Sequence, residues 1–311
     1  MTRLPGDAAD AVPTTLIVTR NLSLHSPAEQ RARGRQDTPS PLTSSNLRKK
    51  YCRRSPAMGH EFEVDKEIEL HATPDQVWEA IATGPGIDSW FMGRNEIEPH
   101  EGGRTQMTMG GFTGEGTVTA WEPGRRFAFR SEQNPDDGTF MAFEYLIEGR
   151  AGGSTVLRLV HNGILGDDWE DQYDALSVGD YMYLRKLAAY LKHFPARIST
   201  YNMFLPGPQV AGKEGVWSAF ANVFGVAETV GAGDRGRLAV PGLAPMAVIV
   251  EFAERPIYLG ARTADGLYAL IHGYRDAVVA EYHNFSAAVD EKDIERAWQA
   301  WLTQTFAQNP K

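Results

Sequence analysis

Two histidines at matching places in the chain are the residues whose type points most directly to chemistry. His161 and His283 each precede an asparagine at the end of a strand-like pattern, ahead of a long helix. Histidine changes charge near neutral pH and serves as general acid, general base or metal ligand. A neutral histidine bonded to backbone is the more common outcome, so both interpretations stay open. In the functional one, His161 orients a polar group of a ligand together with Arg104 or Tyr145.

The other chemical motifs have the wrong surroundings. Gly231 to Gly236 fits the pattern G-x-G-x-x-G, but a dinucleotide site needs a strand before it and a helix after it. Here a helical pattern precedes and an extended one follows, so the sequence predicts a plain loop. Four acids, Asp167, Asp168, Glu170 and Asp171, are favoured by the dipole at a helix start. Because no histidine lies close to them, we predict no metal, no cofactor and no assigned catalytic residue.

Charge is divided unevenly along a chain of otherwise ordinary globular composition. Residues 1–57 carry ten Lys and Arg against four Asp and Glu, a net charge of +6. The whole chain of 311 residues has a net charge of −9, which leaves −15 for the remainder. A body this acidic repels polyphosphate, so we predict no nucleic-acid partner. The one cysteine, Cys52, is in the basic segment, and the remainder has no thiol for a disulfide or zinc site.

The first 57 residues are rich in Pro, Ser, Thr and Arg and show no sustained strand or helix period. Such a segment buries too little apolar surface to offset its ordering entropy, so we predict disorder for residues 1–57. A transit peptide is one alternative, and a translation start at Met58 is another. No apolar run is long enough to span a bilayer, so we predict no membrane span, with the cytoplasm as the default location.

From Met58 onward the pattern predicts a strand followed at once by a helix. Apolar and acidic residues alternate from Phe62 to Leu70, apart from Lys66, and indicate a half-buried strand with one acidic face. Residues Thr73 to Gln76 combine an N-capping threonine, a proline and a glutamine three positions after the cap. That combination is typical of a capping box at the start of a helix.

Six further strands joined by short Gly- and Pro-rich turns then predict an antiparallel meander that ends near Asn162. A last helical stretch runs from Asp167 to Phe194, with a break expected near Ser177 to Gly179, and Pro195 ends it. The apolar face of its second half contains Tyr181, Leu184, Leu187, Ala188 and Leu191.

The rest of the chain resembles a shorter second copy. The segment Val77 to Ala82 recurs as Val216 to Ala221, and each is a helix preceded by a strand. Strands, a histidine–asparagine pair and a long helix follow in the same order in both copies, which indicates tandem duplication. We therefore predict three regions: residues 1–57, a domain over 58–194 and a second, shorter domain over 195–311. A single large domain is the alternative.

These residues resemble the START-like (SRPBCC) superfamily. The resemblance rests on the opening strand, the helix start Thr73 to Trp78, Trp90-Phe91, the turn Trp121 to Arg125, and the pattern from Gly166 to Leu191. Within the superfamily they look closest to the branch of homologues of the activator of the 90-kDa heat-shock protein ATPase. That branch is similar to polyketide cyclases and lipid transporters. The resemblance implies an α+β helix-grip fold, in which a curved antiparallel sheet wraps a long C-terminal helix and leaves a cavity.

The implied cavity suggests a binding site for a hydrophobic small molecule, either a lipid or an aromatic, polyketide-like compound. Aromatic and methionine side chains with a few polar tips commonly hold such ligands, although they also fill cores. The predicted ligand-binding residues are Trp90, Phe91, Met107, Met109, Phe112, Trp121, Phe129, Phe143, Tyr145, His161, Trp169, Tyr173 and Tyr181.

Three functions are compatible with these residues. The first is a binding protein, in which the second copy is a structural or degenerate partner. The second is a cyclase-, dehydratase- or hydrolase-like enzyme, in which Tyr145, His161 and Arg104 act on a bound substrate. The third is a chaperone ATPase-activator-like protein, as the family name suggests. The sequence does not identify a protein partner.

Overall fold

The alternating pattern from Phe62 to Leu70 forms the first strand of a large antiparallel sheet. The computed structural model describes residues 59–287 and 289–306. The segment 1–57, for which the sequence predicts disorder, lies outside the described residues, as do Cys52 and Met58.

The first sheet has seven strands, and its order is β1-β7-β6-β5-β4-β3-β2. Each strand from β2 to β7 pairs with its chain neighbour, and β1 closes the sheet by pairing with β7, so the predicted meander is present. The strands are β1 (His60–Leu70), β2 (Arg94–Ile97), β3 (Arg104–Met109), β4 (Phe112–Glu122), β5 (Arg126–Ser131), β6 (Phe140–Gly149) and β7 (Thr155–Leu165). Its helices are α1 (Pro74–Ala82), α2 (Gly84–Ile87) and α3 (Trp169–His193).

Local signals fix both ends of this unit. The Thr73 side chain accepts from the Gln76 backbone and the Gln76 side chain accepts from the Thr73 backbone, so the predicted capping box starts α1. At the other end, α3 runs without interruption, and the break expected near Ser177 to Gly179 is wrong. A glycine inside a helix costs only about 1 kcal/mol relative to alanine. Packing of α3 on two sides outweighs that cost.

The second sheet has six strands, in the order β8-β13-β12-β11-β10-β9. Its first strand pairs with its last, and the others follow in reverse chain order, as in the first sheet. The elements are β8 (Tyr201–Gln209), α4 (Lys213–Phe224), β9 (Arg235–Leu238), β10 (Met246–Glu254), β11 (Tyr258–Arg262), β12 (Gly266–His272), a 3₁₀ turn (Tyr274–Asp276), β13 (Ala277–Asn284) and α5 (Glu291–Phe306). Two antiparallel sheets with packed helices confirm the α+β class and agree with tandem copies.

Helix α3 lies between the two sheets. Leu184 and Leu187 of α3 belong to one buried core with Phe127 of the first sheet and with Phe252 and Leu267 of the second. A separate core joins the opposite side of the second sheet to α4 and α5, and it contains Trp217, Tyr268 and Trp298. The layers therefore run first sheet, α3, second sheet, and then α4 with α5. No helix in the described ranges is long and apolar enough to cross a membrane.

Candidate functional site

A histidine–aspartate pair lies inside the first sheet. His161 is on β7, on the face that packs against α3, and is only 1% exposed. Its Nδ1 is 2.9 Å from Oδ2 of Asp180 on α3. Its Nε2 is buried and has no hydrogen-bond partner among the described residues. The protein therefore holds Nδ1 in a hydrogen bond, whereas Nε2 is available to a bound molecule.

A row of side chains crosses the sheet at the level of this histidine. Val64 of β1 lies opposite His161, His161 opposite Phe143 of β6, and Phe143 opposite Phe129 of β5. The Phe143 ring stacks on the His161 ring with centroids 3.9 Å apart, and Phe129 stacks on Phe143 at 5.0 Å. Phe62 meets the imidazole edge at 5.0 Å. We call Phe129, Phe143 and His161 the aromatic row.

Asp180 lies near three more polar side chains of the same interior. Ser177, one helical turn earlier, accepts a 3.0 Å hydrogen bond from Nζ of Lys66 on β1. Burial lowers the pKa of Lys66, and the Asp180 carboxylate partly offsets that shift. Burial also raises the pKa of the Tyr145 phenol, and the negative charge of Asp180 raises it further. Tyr145 therefore stays a neutral hydroxyl. Asp180 is thus the centre of a polar group beside the aromatic row.

The position of Asp180 determines the tautomer of neutral His161. An ionised carboxylate can only accept hydrogen bonds, so the proton of the neutral imidazole lies on Nδ1 and points at Asp180. Nε2 then carries the lone pair. This arrangement gives the aromatic row one buried hydrogen-bond acceptor, which is also the atom that a general base would use.

The structure brings together only some of the predicted ligand-binding residues. Phe129, Phe143, Tyr145 and His161 share one face of the sheet. The other predicted residues have different immediate neighbours, although Trp90, Phe91 and Trp121 belong to the same buried core as Phe129 and Phe143. Trp90 donates to the Ala80 carbonyl at 2.8 Å, Phe91 contacts Tyr183, and Trp121 packs on Trp78 and Phe127. Trp169 and Tyr173 pack on the cluster around Phe62.

The remaining predicted residues lie at the rim or on the surface. Met107 and Met109 are half-buried, and both are close to Gly93. Phe112 is 38% exposed at the turn between β3 and β4. Tyr181 is 40% exposed, with the Arg185 guanidinium 5.9 Å from its ring. None of the described contacts joins these four residues to the aromatic row.

Arg104 is not available to act with His161. It is exposed and forms an ion pair with Glu115 at 3.5 Å, and its backbone N–H donates to Glu98. Because side chains alternate along a strand, the neighbouring Thr105 takes the inward position and Arg104 points outward. That part of the enzymatic interpretation is wrong, whereas Tyr145 does share the face of His161.

Sequence reasoning missed Lys66, Ser177 and Asp180. Two signals were present. Lys66 is the one charged residue at an inward position of the first alternating strand. Asp180 lies at helical spacing from the apolar residues Leu184 and Leu187, on the stripe that faces the sheet. A charge in an apolar stripe predicts a buried polar partner, here His161.

The second histidine does not form an equivalent site. His283 is on β13, which has the same place in its sheet as β7, but its side chain points away from α5 and toward the first half of the chain. Its Nδ1 donates to the backbone oxygen of Asp88 at 2.9 Å. Burial, followed by the charge of Lys186, lowers the pKa of His283 well below its usual value. This outcome is the backbone-bonded, neutral histidine.

The acids at the start of α3 also differ from expectation. Asp168 occupies the N-cap position, but its side chain makes no capping hydrogen bond. Its carboxylate accepts from Arg275 at 2.8 Å and also from Gln172 and Tyr274, so it joins α3 to the second half. No group of residues within 59–287 and 289–306 has the composition of a metal site.

A groove of about 570 Å³ lies at the ends of β1 and β7, away from the aromatic row. It is lined by Glu67, Ile68, Glu69, Arg150, Ala151, Ser154 and Val156. It contains none of the predicted ligand-binding residues.

Comparisons with known proteins give one family model and several solved structures. Residues 71–192 match the family model described as Activator of Hsp90 ATPase homolog 1-like protein. No curated protein matches the chain.

Several solved structures are similar at low identity. Protein MLL2253 from Mesorhizobium loti is 22% identical over 42% of this chain and 97% of its own, with a TM-score of 0.38. The Aha1 dimer from Colwellia psychrerythraea is 19% identical over 42% of this chain and 96% of its own, with a TM-score of 0.35. The di-domain ARO/CYC BexL from the BE-7585A biosynthetic pathway is 13% identical over 80% of this chain and 100% of its own, with a TM-score of 0.39.

The predicted START-like resemblance is confirmed for residues 71–192, which match the family model described as Activator of Hsp90 ATPase homolog 1-like protein.

Proposed function

We propose that the first sheet and α3 bind a planar, apolar small molecule against the aromatic row. One observation carries the proposal: half-buried rings on the inner face of the sheet stack in line with a buried, unpartnered imidazole nitrogen. Ligand sites in proteins commonly combine an apolar surface with a few placed polar atoms.

The residues on the inner face of the first sheet differ in exposure, and this difference supports the presence of space beside the aromatic row. Phe127 and Leu157, on the same face, are completely buried, whereas Phe129 and Phe143 remain partly accessible. Burial of apolar surface stabilises a protein by about 25 cal/mol for each Å², and surface that stays accessible to water does not contribute this free energy. A flat ligand that covers these rings recovers that free energy, and aromatic pairs add about 0.5–1.5 kcal/mol through offset stacking.

Naphthalene is a suitable first probe because it is flat and has no polar group. We expect the full chain to bind naphthalene in a ligand-observed NMR titration. Phe143→Ala removes a ring from the row and should weaken binding about tenfold, which corresponds to about 1.4 kcal/mol. Phe140→Ala is the matched control, since Phe140 is half-buried on the same strand but faces outward under Arg130. Equal loss in both variants, or no binding by wild type, contradicts the proposal.

A reaction on the bound molecule is a second candidate, favoured by the hydrogen bond between Asp180 and His161. An imidazole whose Nδ1–H is oriented by a carboxylate is a common general base. A cyclase-, dehydratase- or hydrolase-like reaction would use Nε2 to remove a proton from the ligand. Once a substrate is identified, His161→Ala distinguishes the two functions. The enzyme is supported if affinity changes by less than about tenfold while turnover is lost.

A further inference from the structure

We infer that the bound molecule carries an O–H or N–H donor that hydrogen-bonds Nε2 of His161, and that Asp180 is the positioning residue that makes Nε2 an acceptor. The ligand class is a flat apolar body with one donor at its inner end, such as a phenol or an enol. This inference rests on the proposed function and narrows it.

Among the described residues, no donor lies within hydrogen-bonding distance of Nε2 of His161. The rings that contact the imidazole, Phe62 and Phe143, have no hydrogen-bonding atoms. Nζ of Lys66 donates to Ser177 and not to Nε2 of His161. A buried polar atom is normally paired, and one that is unpaired in a native protein commonly marks a function.

Two other histidines in the described residues also have a buried ring nitrogen without a hydrogen-bond partner, but their surroundings differ from those of His161. His272 donates from Nε2 to the backbone oxygen of Val210, and His283 donates from Nδ1 to the backbone oxygen of Asp88. Neither ring stacks on another aromatic residue in the described contacts. His161 alone among these three is part of an aromatic surface, so it is the one placed to meet a flat ligand.

The carboxylate at Nδ1 gives the interaction its direction. With Asp180 as acceptor, neutral His161 offers a lone pair at Nε2, so a ligand with an acceptor but no donor gains nothing there. Asparagine at position 180 presents an amide N–H₂ as well as an oxygen. It removes the requirement that Nδ1 carries the proton, and the preference for donors should fall with it.

Three probes of the same shape test the inference in the full chain by calorimetry. Naphthalene has no polar group, 2-methoxynaphthalene has only an acceptor, and 2-naphthol has a donor. We expect wild type to bind 2-naphthol about tenfold more tightly than either of the others. Asp180→Asn and His161→Phe should each bring the ratio of 2-naphthol to 2-methoxynaphthalene affinity close to one. Asp174→Asn, an exposed acid on the same helix, should leave that ratio unchanged.

The ratio separates this inference from the proposed function. If naphthalene binds but 2-naphthol binds no more tightly than 2-methoxynaphthalene, the donor inference is overturned and the binding site stands. If none of the three probes binds wild type, both proposals are overturned. A ratio that survives in Asp180→Asn but is lost in His161→Phe removes the positioning role of Asp180. Thermal unfolding of each variant shows whether it is folded, and a loss of affinity common to all probes leaves the ratio interpretable.

Discussion

Replacing Lys186 by methionine should destabilise the protein more strongly than any other single charge removal on α3. Lys186 lies on the side of α3 that faces the second sheet and is 0% exposed. Its ammonium pairs with Glu281 of β13, which is 2% exposed, and the Tyr183 hydroxyl donates to the same carboxylate. This buried cluster joins the two halves of the chain.

The expected magnitude follows from what each substitution leaves behind. Lys186→Met fills similar space but leaves the Glu281 carboxylate buried with only Tyr183, and removal of one partner of a buried pair costs about 3–5 kcal/mol. Burial already lowers the pKa of Lys186 despite the attraction of Glu281, so desolvation of the pair is substantial. Lys186→Met with Glu281→Leu removes both charges and should recover part of the loss. About 1–3 kcal/mol remains because the Tyr183 hydroxyl loses its acceptor.

Urea unfolding of the full chain, followed by circular dichroism, measures both variants. Lys192→Met is the matched control, because Lys192 is an exposed lysine less than two turns later on the same helix. We expect the control to stay within about 0.5 kcal/mol of wild type. A single variant as stable as the control, or a double variant less stable than the single, refutes the reasoning that an uncompensated buried carboxylate dominates.

Two further predictions concern pH and close packing. The pKa of His283 is lowered in the folded chain, so below about pH 6.5 the unfolded chain takes up a proton that the folded chain does not. The free energy of unfolding therefore falls as pH falls, by up to about 1.4 kcal/mol for each pH unit. Urea titrations at about pH 7 and about pH 5.5 should show a shallower loss in His283→Gln than in wild type, and equal losses contradict this assignment. Gly86→Ala should cost at least about 1–3 kcal/mol, because its Cβ would lie 1.9 Å from the Glu79 carbonyl oxygen. Gly215→Ala, with open space around its Cβ in α4, should be neutral or stabilising, and similar melting curves for the two variants would count against this account.

Local signals predicted most of the elements because they act within a few residues. The capping box at Thr73 starts α1, the alternation from Phe62 forms β1, and short turns produce the meander. The repeat was also visible, since each copy carries the same signals in the same order. These features depend on neighbours in the sequence, and the sequence displays them directly.

Features that depend on distant partners were not visible. Nothing near Lys186 in the sequence indicates that the second sheet covers it, or that it pairs with Glu281, 95 residues later. Lys66 of β1 donates to Ser177 of α3, and these two residues are more than 100 positions apart in the sequence. A polar residue in an apolar stripe indicates that a partner exists, but it does not identify the partner. The sequence therefore predicted the aromatic residues of the candidate site, Phe129, Phe143 and His161, but not Asp180.

The two matching histidines, His161 and His283, carry the same sequence signal but lie on opposite sides of their sheets, a difference that one step of strand register produces. Neighbouring side chains on a strand point to opposite faces, so a shift by one residue moves a histidine from the interior of its own sheet to the other side. His161 faces its own helix and pairs with Asp180, whereas His283 faces the first half and bonds to Asp88.

The second half contacts the first sheet's helix α3, which carries Asp180 of the candidate site. Its own helix-facing core is filled by large side chains, including Tyr268, Trp298 and Trp301. Its outer face covers the side of α3 that carries Lys186, while the inner side of the same helix presents Asp180 to the first sheet. Because one helix carries both residues, loss of the buried cluster should loosen the contact between Asp180 and His161. Lys186→Met should then reduce the donor preference of the site, which links the stability of the interface to ligand recognition.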